Sequence, residues 1–134
     1  MFSDAPRYRP LVAAIADGLH RLLPEGAKAV AESAKIVIFV DDMRNAIYLG
    51  QDISDTVTSG LTLQEAVRFC ALSMLEQVQD MISRKRQEPW PKGQSASDFL
   101  MPDVQLEGGR LLMWFGERGR DSPMVSIDLP SPTP

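Results

Sequence analysis

One histidine and one cysteine, His20 and Cys70, are all this chain offers from the two side chains most used as nucleophiles, proton carriers and transition-metal ligands. A Cys/His dyad, a Ser/His/Asp triad or a Cys/His zinc site would each need one of them in a pocket beside a partner. Neither stands in such a setting. Leu11, Val12, Ile15, Leu19 and Leu22 mark one face of a helical run, and His20 falls with Asp17 and Arg21 on the other, so it reads as a solvated surface histidine. Cys70 shares an apolar stripe with Val67, Ala71 and Met74, where a thiol packs as a small hydrophobe. Ser54, Ser59 and Ser73 have no base nearby in sequence, and nothing resembles a nucleophile elbow.

Carboxylates are the remaining reactive groups. Asp41 and Asp42 directly follow an apolar strand-like run, and Asp52 and Asp55 sit a short way beyond it. Clustered carboxylates hold Mg²⁺ or Mn²⁺ and support hydrolysis of phosphodiesters, which makes these four the metal reading of the chain, a metal-dependent hydrolase or nuclease. Two features argue against it. Adjacent aspartates on an extended chain point to opposite sides, and the set lacks Asp-x-Asp spacing, an EF-hand pattern and a nearby histidine. Aspartates are also common turn formers.

Gly108 and Gly109 are followed by strand-like residues and not by a helix, so they mark a hairpin turn and no phosphate cradle. Arg118 and Arg120 form a small cationic loop tip of the kind that is usually just solvated. Tyr48, Trp90 and Trp114 are the candidate binding aromatics, which would line the pocket of a small-molecule-binding domain in a third reading.

The composition narrows the class. A length of 134 residues suits one α+β domain covering residues 1–134, with flexible termini at 1–9 and 130–134, and 44% hydrophobic against 24% charged residues predicts a packed core. A formal net charge of −4 works against nonspecific nucleic-acid binding, which draws on many neutralised phosphates. The lone cysteine, the lack of a signal-like start and the lack of a membrane-length apolar run point to a cytoplasmic protein.

The elements follow from period and punctuation. A bent N-terminal helical pair is expected, residues 10–23 and then 27–34, broken by Pro24 and Gly26. Residues 36–40 are a continuous β-branched and aromatic run, a buried strand; residues 41–45 read as a turn and 46–50 as its hairpin partner. The polar stretch 51–60 reads as a loop. Thr62 with Glu65 is a capping box that opens a long amphipathic helix, which ends near Lys85 before Pro89. Arg84, Lys85 and Arg86 then complement the negative end of its dipole. Residues 88–103 are a crossing loop pinned by Trp90, residues 104–106 and 110–116 a second hairpin, residues 117–123 a loop and 124–129 a last strand.

The expected fold is α+β: a mainly antiparallel sheet of about five strands packed against the long helix and the bent N-terminal pair. Residues 110–116 are apolar on both faces, so both must be covered, by the two helical elements or by a second copy of the chain. With no cofactor motif and no residue assigned a catalytic role, the leading functional expectation is a small acidic, non-catalytic interaction protein of the inhibitor, immunity or adaptor type. Its partner is a protein or itself, as a homodimer, and neither nucleic acid nor membrane is expected.

Overall fold

The computed structural model describes residues 5–91, 100–117 and 124–131, so the expected loop tip at Arg118 and Arg120, most of the 117–123 loop and part of the 88–103 crossing loop lie outside the described residues. Among those described the chain is α+β, with three α-helices and two three-stranded antiparallel sheets. Ala5–Tyr8 form one 3₁₀ turn that buries Tyr8, so part of the expected irregular start is structured. Helix α1 spans Arg9–Leu22, with Pro10 in its first turn, where a missing N–H leaves nothing unpaired. It stops because Leu23 is extended (ψ 151°), the geometry that a following proline imposes.

The second helix of the expected N-terminal pair is instead a strand. Ala27–Glu32 form β1, paired antiparallel with β2, Lys35–Val40, through a two-residue turn at Ser33 and Ala34. Ala27, Val30, Ala31 and Ala34 keep helical spacing while Ala27, Ala29 and Ala31 alternate as a strand does, and pairing with the apolar β2 run decides between them. Strand β3, Met43–Ile47, begins earlier than its expected start and closes on β2 across Asp41 and Asp42 alone. Asp41 adopts a positive φ of 53° there, a conformation aspartate tolerates better than most residues.

The stretch expected to be a loop is helix α2, Leu49–Thr58. Its polar residues hide a stripe at four-residue spacing, in which Leu49 and Ile53 are fully buried and Val57 half-buried. Gly50 seats the helix start close against the β1–β2 turn, where its N–H donates to the Ala34 carbonyl at 2.8 Å. Helix α3, Leu63–Arg86, carries the expected capping box: Glu65 N–H donates to Thr62 Oγ1, and Thr62 N–H donates to Glu65 Oε1.

Strands β4 (Pro102–Glu107), β5 (Arg110–Phe115) and β6 (Val125–Asp128) make the second sheet, so the expected single five-stranded sheet is two sheets of three. Helix α1 bridges them, packing on β1 and β6, and α3 packs on α2 and β4. Gly18 lets α1 lie close on the second sheet: a Cβ there would lie 3.0 Å from Ile127 Cδ1 and 3.2 Å from Met113 Cε. The core sits between the helices and the inner sheet faces, with Ile15, Leu19, Ile38, Met74 and Leu111 fully buried. The central strand β5 is buried on both faces within one chain, since Leu112 and Trp114 are each only 5% exposed. No described helix is long and apolar enough to cross a membrane.

Candidate interaction surface

The reactive side chains singled out in the sequence are tied to local structure. His20 is exposed, yet its Nδ1 accepts the Ala29 N–H at 3.3 Å, so it caps the open edge of β1 besides meeting solvent. Cys70 lies in the α2–α3 interface with its Sγ 3.5 Å from Thr56 Oγ1. Burial pushes its thiol up, the Thr56 hydrogen bond opposes that, and the Asp52 and Asp55 charges add to it, so the thiolate is disfavoured. Such a thiol is a poor nucleophile near neutrality.

The four aspartates divide into two places. Asp41 and Asp42, in the β2–β3 turn, face the basic end of α3, where Arg86 pairs with Asp41 and Lys85 with Asp42. The Lys85 ammonium beside Asp42 holds its carboxyl below the usual range. Arg86 also donates to the Glu25 carbonyl at 2.7 Å, and Arg84 pairs with Asp80 on its own helix. Arg84, Lys85 and Arg86, expected to serve the helix dipole, are therefore also held by carboxylates, two of them on another element. Asp52 and Asp55 lie on α2, where partial burial and then the neighbouring Asp55 charge raise the Asp52 carboxyl, and Gln51 donates to Asp55 at 2.8 Å. Among the described residues no three His, Cys, Asp or Glu side chains are placed to hold one ion.

The three aromatics also part company. Trp114 is buried in the second sheet. Trp90 is half-buried, its ring edge-on to Phe115 at 5.1 Å and its backbone N–H donating to Ser83 Oγ, as expected for an anchor of the crossing loop. Tyr48 is 59% exposed and lies under the Lys35 ammonium. A cavity of about 300 Å³ between α1, α3 and the β4–β5 turn is lined by Leu11, Val67, Leu106 and Leu129 and by none of these three.

Tyr48 leads to the surface that sequence reasoning missed. In β2, Ile36, Ile38 and Val40 point into the core, so Lys35, Val37 and Phe39 point out, and the register lines up their neighbours. The middle row of this outer face is Val30, Val37 and Ala46, all apolar. Beside it Phe39 stands between Lys28 and Arg44, with the Lys28 Nζ 5.0 Å and the Arg44 guanidinium 6.0 Å from its ring centroid. On the other side are Glu32, Lys35 and Tyr48. Arg44 reaches diagonally across the middle row to Glu32 at 3.4 Å, and Val37, which lies outside the main core, is itself fully buried. Val30 remains 41% exposed. The signal available in the sequence was the two-sided apolar run at 36–40, but without β1 its outer neighbours were invisible.

Comparison with protein-family models, with curated proteins and with solved structures finds no match to this chain.

Proposed function

We propose that this chain is a non-catalytic, cytoplasmic interaction module that docks on a protein partner through the outer face of the β1–β2–β3 sheet. The observation that carries this reading is the Val30, Val37 and Ala46 row, flanked by Phe39 and Tyr48, on a sheet whose other face is already packed on the core. Apolar centres with aromatic neighbours and a charged rim are the usual make-up of protein interfaces.

The backbone edges support the same choice by being blunted. His20 takes the Ala29 N–H of β1, Asn45 takes the Ala46 N–H of β3, and on β4 Asp103 and Arg68 take the Val104 N–H and carbonyl. A partner strand would have to displace these bonds, whereas the sheet face is crossed by the Arg44–Glu32 pair, whose side chains are both about half exposed. Catalysis draws little support, because the thiol is disfavoured as thiolate, the imidazole Nδ1 is engaged with backbone, and the aspartates lie apart.

Photo-crosslinking tests the reading. A benzophenone amino acid placed at Ala46 in source cells should yield discrete protein adducts, and the same group at the exposed Ala13 of α1 should not. Identical adduct patterns at both positions, or none at Ala46, would overturn it. Adducts that resolve to this same chain would assign the partner as a second copy.

A further inference from the structure

Resting on that docking face, we propose that its occupant is an acidic segment that also carries apolar or aromatic residues.

The inference comes from how positive charge is distributed. Away from this face five cations pair with carboxylates, Arg21 with Asp17, Arg84 with Asp80, Lys85 with Asp42, Arg86 with Asp41 and Arg110 with Asp128, while Arg68 donates to the Val104 carbonyl and Arg7 lies singly over the Tyr8 ring. Lys28 and Lys35 have no carboxylate partner among the described residues, and each ammonium lies instead over an aromatic ring, of Phe39 and Tyr48. A cation–π contact orients an ammonium without using its N–H donors. The two lysines thus present aimed, unneutralised donors on either side of the apolar middle row. This occurs on a chain whose formal charge is −4, so an acidic ligand is repelled by much of the molecule and drawn to this patch.

The spacing sets the occupant's form. Lys28 and Lys35 belong to the two outer rows, with the Val30, Val37 and Ala46 row between them. A segment that lays apolar side chains on the middle row and reaches the flanking lysines with its carboxylates satisfies both features. Nucleic acid fits less well, because cations already lie over the Phe39 ring where a base would stack, and two free lysines neutralise few phosphates.

Fluorescence anisotropy with short synthetic peptides tests this. A peptide alternating glutamate with tyrosine should bind the intact chain, while one alternating lysine with tyrosine, one alternating glutamate with glycine, and an oligothymidylate of equal charge should bind at least about tenfold more weakly. Lys28→Glu with Lys35→Glu should weaken the glutamate–tyrosine peptide by about tenfold or more and flatten its salt dependence. Lys28→Met with Lys35→Met, which adds no repulsion, should weaken it in the same direction. Circular dichroism checks that both variants fold. Absence of binding by the glutamate–tyrosine peptide, equal binding by the oligothymidylate, or indifference to both lysine variants overturns the proposal. Ala46 adducts that persist in the charge-reversed chain would sink the acidic occupant and leave the docking face standing, whereas absence of adducts in the unaltered chain is failure of the docking face itself.

Discussion

Asn45 and Asp103, on different sheets, each turn a side-chain oxygen onto the backbone N–H of the following residue: Asn45 Oδ1 accepts from Ala46 at 3.0 Å and Asp103 Oδ1 from Val104 at 2.8 Å. Each residue lies on an edge strand, β3 or β4, and each bonded N–H points away from the sheet. Open edges template pairing with other chains, and a side chain folded back on the backbone removes part of that template. Asn45→Ala with Asp103→Ala should therefore aggregate faster than the parent by light scattering, at a stability loss of about 1 kcal/mol or less per site. Unchanged aggregation would show that the caps are incidental.

Glycine at two helix positions should respond differently to alanine. At Gly50 a Cβ would lie 2.7 Å from both the Ala34 carbonyl oxygen and the Ala34 Cβ, groups fixed by the β1–β2 turn. Gly50→Ala should destabilise by about 1–3 kcal/mol in urea denaturation. At Gly18 the opposing atoms are the ends of Ile127 and Met113, which can shift, and alanine gains roughly 1 kcal/mol of helix propensity, so Gly18→Ala should be close to neutral. A reversed order would mean that α1, and not α2, is the tightly seated helix.

Neighbouring arginines at the end of α3 separate tertiary from local roles. Arg86 is 24% exposed and joins α3 to the Glu25 carbonyl and to Asp41, whereas Arg84 is 81% exposed and pairs along its own helix. Arg86→Ala should cost about 1–2 kcal/mol through the lost charged hydrogen bond, and Arg84→Ala under about 0.5 kcal/mol. Equal costs in thermal or urea unfolding would return both residues to the helix dipole alone.

The capping box sets an acid dependence. Hydrogen bonds from the Thr62 backbone and then its side chain hold the Glu65 carboxyl below its ordinary range. A depressed carboxylate contributes stability that is present above its unfolded value and lost as pH falls through the folded one. Glu65→Gln should flatten stability against pH in the acid limb, and Thr62→Ala should cost about 1 kcal/mol at neutral pH. Urea unfolding across the carboxylate range checks both, and an unchanged acid limb in Glu65→Gln would remove the box from the pH response.

How much was legible differs by element. The α3 stripe, its capping box and the Gly108–Gly109 hairpin rest on contacts within a few residues, and they appear in the structure as the residues dictate. Helix α2 was obscured because Asp52, Ser54 and Asp55 are loop-forming types, while the Leu49, Ile53 and Val57 stripe is only three residues long. The reactive poverty of the chain was legible from residue counts; the bond from Ala29 to His20 Nδ1 was not, since it joins a helix to a strand nine positions on.

The sequence alone determined the class, a small α+β chain with little nucleophilic chemistry, because residue types and short-range periodicity suffice for that. Only the tertiary structure decided that residues 27–32 are a strand, that the strands form two sheets, and that Lys28, Phe39 and Arg44 stand in one row. The reason is physical: alanine-rich segments have no strong preference of their own, and cross-strand neighbours become neighbours only when the register is set by long-range pairing.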